Sequence, residues 1–105
     1  MNNKTEINIG KQFSRFPVGR YFADGETNGQ RFREELLRPA LLEFETVEIF
    51  FDDALGYGSS FLEEAFGGLV RSGYSAAPLL KRLILMSEDD ALKDEVTQYI
   101  LDAQK

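Results

Sequence analysis

Two short apolar runs, Val47-Glu48-Ile49-Phe50-Phe51 and Leu83-Ile84-Leu85-Met86, are the feature that most constrains what this chain can fold into. Both are rich in strand-forming residues and both end at polar or acidic positions, so each reads as a buried strand. The segments around them carry apolar residues at helical spacing, so strand alternates with helix along the chain. That alternation leads to an α/β domain in which a mixed or mostly parallel sheet is packed by helices.

The N-terminal third extends the pattern. Residues 6–13 place Ile7, Ile9 and Phe13 at alternate positions, which predicts a half-buried strand with Gly10 as a bulge. Phe16-Pro17-Val18-Gly19 reads as a turn, and Arg20–Ala23 as a second short strand stopped by Asp24-Gly25. The sheet is therefore expected to have about four strands. Thr27 and Gln30 have the spacing of a capping box, opening a helix that runs to about Phe44 and is kinked or split by Pro39. Ser60 and Glu63 repeat that spacing ahead of a helix carrying Phe61, Leu62, Ala65, Phe66, Leu69 and Val70. Gly67-Gly68 inside this helix calls for a close approach, expected against the sheet, and Gly73 ends it. Ser75 and Pro78 start a short helix, and Ser87–Asp90 cap a last one with an apolar stripe of Leu92, Val96, Tyr99, Ile100 and Ala103. A chain of 105 residues suits one domain spanning 1–105, with residues 1–5 expected to be flexible.

Composition narrows the function. The chain has no histidine and no cysteine, which removes imidazole bases, thiolate nucleophiles, disulfides and cysteine metal sites. Glu88-Asp89-Asp90 lacks the glycine and spacing of a calcium loop. Neighbouring glutamates, Glu34-Glu35 and Glu63-Glu64, diverge around a helix and read as solvated faces rather than a facing acid pair. Gly56-x-Gly58 is too short for a nucleotide fingerprint. We therefore expect no enzyme, no cofactor and no metal. A net charge of −6 disfavours nucleic acid, although Arg15, Arg20, Arg31, Arg33 and Arg38 all lie in the N-terminal half. No apolar run is long enough to span a bilayer and no signal peptide opens the chain, so the expected location is cytoplasmic.

The candidate site is Asp52 to Phe61, where a strand hands over to a helix. In open α/β sheets that edge binds ligands and partners. Gly56, Tyr57, Gly58, Phe61 and Glu64 are expected to meet a partner, with Tyr57 either an exposed contact or a lid over the core. Ser60 has two compatible roles, helix cap and phosphorylation site, the second because first-turn amides favour an anion. Arg20 and Asp24 are a second candidate, as an ion pair or an anion contact near the same loop. Arg31 and Arg33 read as solvated charges at a helix start.

The Ser59-Ser60 junction resembles the switch region of STAS domains, the fold of the anti-sigma factor antagonists. Gly58 stands where those proteins usually have Asp, and Phe61 where they usually have Gly. A closer resemblance is to a STAS-like bacterial family whose function is not established. It rests on Gly19-Arg20-Tyr21, Asp24-Gly25, Phe32-Arg33, Ser59-Ser60-Phe61, Glu64-Ala65-Phe66-Gly67 and Leu83–Met86, and it covers about Ile7 to Ala103. The resemblance implies a regulatory protein–protein interaction module. It makes Ser60, or its neighbour Ser59, the candidate for phosphorylation by a histidine-kinase-like ATPase, with a transcription regulator as another candidate partner. The alternative is an unmodified structural or interaction subunit, or a homodimer.

Overall fold

The computed structural model describes residues 3–105. Three parallel strands form its sheet in the order β1-β2-β3: β1 Lys4–Asn8, β2 Thr46–Phe50 and β3 Leu83–Met86. Ile7 lies beside Ile49, and Ile49 beside Leu85. Because the pleat alternates, Ile7, Val47, Ile49 and Leu83 share one buried face. The other face carries Glu6, Glu48 and Ile84 in one row and Asn8, Phe50 and Met86 in the next, exposed or half-buried throughout. Sequential order with right-handed crossovers puts the helices on a single face, so this is a two-layer domain.

The sheet has three strands rather than about four. The fourth, expected over Arg20–Ala23, is a 3₁₀ turn at Phe22–Asp24. Asp24 accepts hydrogen bonds from the backbone amides of Arg20 (3.1 Å) and Tyr21 (2.9 Å), which folds the segment on itself instead of leaving it extended. β1 also begins earlier and ends earlier than residues 6–13. Lys4 and Thr5, expected to be flexible, pair with Thr46 and Val47, while residues 1 and 2 lie outside the described residues. The strand ends because the Asn8 side chain accepts the Lys11 amide and starts a helical turn, α1 Ile9–Gln12. Ile9 and Phe13 are four apart, a spacing that fits a helix as well as a strand. Gly10 is no bulge. It sits where a Cβ would lie 2.3 Å from the Asp53 carbonyl carbon, so it lets α1 touch the loop after β2.

Helix α2 (29–43) runs from Gly29–Phe32 through a π turn, Arg33–Leu37, into Arg38–Glu43. Its cap is Asn28, one residue after the expected Thr27. The Asn28 side chain accepts the Arg31 amide at 2.7 Å and donates to the Gly25 carbonyl at 2.6 Å. Pro39 neither breaks nor splits the helix. The widened turn before it lets the Arg38 amide bond to the Arg33 carbonyl, and Pro39 then occupies the start of the next helical stretch. Helix α3 (59–71) also contains a π turn, Glu63–Gly67, and ends at Gly73, whose φ is +123°. Two more helices complete the chain: the short α4 Ala76–Arg82, which leads into β3, and the longer α5 Asp90–Ala103, capped by Asp89 through the Leu92 amide. β3 was expected to be buried but is an edge strand, with Ile84 and Met86 each 38% exposed.

The core lies between the sheet and α2, α3 and α5. Phe32, Phe51, Phe61 and Phe66 are buried and pack as tilted rings in the order Phe61–Phe32–Phe66–Phe51, with centroids 5.6 Å apart for Phe32–Phe61 and 5.9 Å for Phe51–Phe66. Among the described residues no helix is long and apolar enough to cross a membrane.

Candidate functional site

β2 delivers the chain to Asp52 at the C-terminal edge of the sheet, and residues 52–58 carry it to the start of α3. The loop is tied to its neighbour, residues 14–19. The Leu55 amide donates to the Arg15 carbonyl (2.8 Å) and the Gly58 amide to the Pro17 carbonyl (3.1 Å). Pairing these loops forces their intervening side chains outward. Phe16 (62% exposed), Val18 (52%) and Leu55 (64%) are therefore presented at the surface by the two paired loops. Tyr21 and Phe22, on the adjoining turn, are also more than half exposed.

Ser59 and Ser60 lie beside this patch, in the first turn of α3, and both are exposed. Neither caps the helix. The cap position is Gly58, in extended conformation, and no side chain bonds to the first amides. The capping role expected of Ser60 is thus corrected: the helix starts two residues earlier than the Ser60–Glu63 spacing implies, so the serine sits inside the first turn. Glu63 is engaged elsewhere.

Tyr57 is the lid. Its hydroxyl donates to the Phe51 carbonyl at 2.6 Å, and its ring packs on Phe51 and Phe61 with centroids 5.6 and 6.1 Å away. Burial, with Asp52 and Asp53 nearby, pushes its phenol well above the usual range. One side of Tyr57 also lines a groove of about 480 Å³ formed with Phe51, Asp52, Leu55, Glu88 and Leu92. Asp52 accepts from the Ser87 hydroxyl (2.6 Å) and the Glu88 amide (2.9 Å), and these bonds hold its carboxyl below the ordinary range.

Of the expected partner-facing residues, Gly56 is exposed and Gly58 is half-buried against Val18. Phe61 and Glu64 do not face a partner. Phe61 is 0% exposed, at the centre of the aromatic stack. Glu64 is 6% exposed because it receives the Arg33 guanidinium at 2.7 Å. Helical phase explains both: only Ser59 and Ser60 precede the turn at which α3 meets α2.

Arg20 and Asp24 do not form the expected side-chain pair. Asp24 is occupied with backbone amides, foremost that of Tyr21, which hold its carboxyl below the ordinary range. Arg20 instead reaches α3, bonding to Glu63 and, at 3.3 Å, to Glu64. It joins a network that sequence reasoning missed. Arg33 bridges Glu64 and Glu34 (2.9 Å), Arg38 binds Glu34 (3.0 Å), and Arg71 binds Glu63 (2.7 Å) and Glu64 (3.3 Å). Arg33 and Glu64 are therefore buried and Glu63 is only partly exposed, whereas Arg31 does pair at the surface with Glu35. The signal was Gly67-Gly68. A Cβ on Gly68 would lie 2.1 Å from Arg33 Nη1, so the glycine makes room for a guanidinium, not for the sheet. The network joins the π turns of α2 and α3 and fixes the orientation of the helix that presents the serines.

The geometry offers a surface. Among the described residues no group of His, Cys, Asp or Glu is arranged to hold a metal ion. What converges here is an exposed pair of hydroxyls, an exposed apolar patch and a groove with acidic walls.

No curated protein and no solved structure matches the chain significantly. Residues 28–93, which include α2, β2, the serine loop, α3, β3 and the start of α5, match the family described as STAS-like domain of unknown function (DUF4325). The chain belongs to that STAS-like family.

Proposed function

We propose that this chain is a regulatory protein–protein interaction module whose contact surface is the corner made by residues 14–19 and 52–60. The single observation that carries the reading is that the loop bearing exposed Leu55 is hydrogen-bonded to the loop bearing exposed Phe16 and Val18, immediately before the exposed serines at the start of α3. Large apolar side chains held outward by loop-to-loop hydrogen bonds gain nothing for the isolated domain and fit burial by a partner.

Modification of Ser60 or Ser59 is the switch in this reading. A phosphate there adds close to two negative charges to an apolar contact surface. The first-turn amides and the positive end of α3 tolerate it, so the domain stays folded while the contact changes. A histidine-kinase-like ATPase is the candidate kinase and a transcription regulator the candidate target. The chain has no catalytic part in this scheme and uses no cofactor.

The test is incubation of the full chain with such an ATPase and ATP, read by intact mass and by co-elution. A gain of one phosphate that disappears in Ser60→Ala or Ser59→Ala supports the switch. No phosphate, with co-elution that is lost in Leu55→Asp, leaves a constitutive contact. Neither phosphate nor co-elution with any such ATPase or regulator removes the proposal.

A further inference from the structure

We propose that the groove between the loop after β2 and the loop after β3 receives a cationic, amphipathic segment of a partner protein. This rests on the interaction-module reading above and names the chemistry of the contact. The floor is apolar: Phe51, Tyr57 and Leu92 lie beneath it, and Leu55 stands at its lip, 64% exposed. The wall is acidic, built from Asp52, Glu88 and Asp89.

Among the described residues, none of these three carboxylates forms an ion pair, and the one cation that acts on them from a distance is Lys93, near Asp52. Among the described residues, the nearby lysines are engaged by other acids, Lys11 by Asp53 at 3.8 Å and Lys93 by Asp90 at 3.2 Å. Asp52 is held by a hydroxyl and an amide, and Asp89 accepts the Leu92 amide as the cap of α5. Neutral donors fix Asp52 and Asp89 in place, so their charge is offset only in part, by the N-terminal end of α5 and by Lys93, which is itself paired to Asp90. An apolar floor below unpaired anions is complementary to a side chain with an aliphatic stem and a cationic head, that is, lysine or arginine beside an apolar neighbour. It opposes an acidic segment, and the net charge of −6 opposes a second copy of this chain.

The experiment is an amide NMR titration of the full ¹⁵N-labelled chain. One probe is a synthetic amphipathic leucine–lysine peptide, and the control is the same peptide with glutamate for lysine. The lysine peptide is expected to shift the amides of Leu55, Gly56, Tyr57 and Leu92 saturably. The effect should fade at about 1 M salt, where the screening length falls to ~3 Å. Glu88→Gln is expected to weaken binding by about two- to fivefold, and Leu55→Ser by about tenfold. Both side chains are exposed, and the spectrum itself reports whether each variant is folded.

Equal shifts with the glutamate peptide, absence of shifts, or shifts centred on Glu6, Glu48 and Ile84 would overturn the proposal. So would groove amides that move with protein concentration alone, since the occupant would then be a second copy. A protein partner that binds Glu88→Gln as tightly as the native chain but loses Leu55→Ser would remove the acidic groove and leave the module, whereas one indifferent to Leu55→Ser as well would remove both.

Discussion

Replacing Gly68 with alanine should destabilise this protein, against the ordinary expectation for a helix interior. On propensity alone the change gains about 1 kcal/mol. Here the new methyl group would lie 2.1 Å from Arg33 Nη1 and 3.2 Å from its Cδ, so the arginine must leave its place. Arg33 Nη1 donates to both the backbone carbonyl and the carboxylate of Glu64, each at 2.7 Å. The two side chains are only 10% and 8% exposed. Removing one member of such a pair strands the other, which costs about 3–5 kcal/mol. Arg20 and Arg71 still reach Glu64 at 3.3 Å, which puts the expected loss at the lower end of that range. Set against the propensity gain, Gly68→Ala should lose about 2 kcal/mol. Gly67→Ala is the matched control. Its methyl meets the end of the partly exposed Glu63 side chain, whose displacement loosens its bonds to Arg71 and Arg20 but leaves every group within reach of water, a smaller cost than stranding a buried charge. Urea denaturation of the two variants and of Arg33→Met measures the difference. A Gly68→Ala protein as stable as the native one, or more stable, would refute the view that the buried pair dictates the glycine.

The remaining predictions concern caps and titration. Ser59→Ala and Ser60→Ala should each leave stability within about 0.5 kcal/mol of native, because neither hydroxyl caps α3. Asn28→Ala should lose about 1–2 kcal/mol, because its side chain caps α2 and holds Gly25 as well, whereas Thr27→Ala should be mild. Chemical denaturation of the four variants ranks them. The Arg71 guanidinium, with Arg20, holds the Glu63 carboxyl below its ordinary value. The folded state thus binds fewer protons than the unfolded one just below the usual glutamate range of about 4.3, and stability falls as pH drops through the folded value. Melting curves from neutral pH downward should show a shallower acid decline in Glu63→Gln than in the native chain. The Tyr99 phenol, hydrogen-bonded to Glu95, is pushed up to about 12. Its stabilising effect is complete below the unfolded value of about 10 and is lost as pH rises toward the folded one. Ultraviolet titration should show Tyr57 and Tyr99 ionising above the usual phenol range, and Tyr99→Phe should remove one of these two late transitions.

The architecture was legible where burial leaves a period in the sequence. Val47 and Ile49 announce the central strand, and Val96 and Ile100 the buried stripe of the last helix, because each set faces the core at the spacing its element requires. The strand at Arg20–Ala23 was misread because Asp24 acts on two amides before it in the chain, and a single carboxylate outweighed the local β preference. The serine cap was misread for a related reason: a spacing match fixes a cap only if the helix starts there, and tertiary contact of the loop with Pro17 begins α3 at Gly58 instead. The site was half legible. Its location and its two hydroxyls follow from the strand-to-helix junction. The inward turn of Phe61 and Glu64 does not, because Glu64 is buried by an arginine 31 positions away, a distance at which no local pattern registers. The exposed patch was equally hidden, since Phe16, Val18 and Leu55 are ordinary apolar residues until loop pairing turns them outward.

The claim at the centre of this account is that the corner around Leu55 and Ser60 is where the chain meets its partner. Photocrosslinking in the native host tests it most directly, with a benzophenone amino acid placed in turn at Leu55, at Val18 and at the remote exposed position Gln98. The account predicts one and the same crosslinked protein from Leu55 and Val18, lost when Ser60 is changed to glutamate, and nothing from Gln98. Equal adducts from Gln98, or none from either Leu55 or Val18, would contradict it.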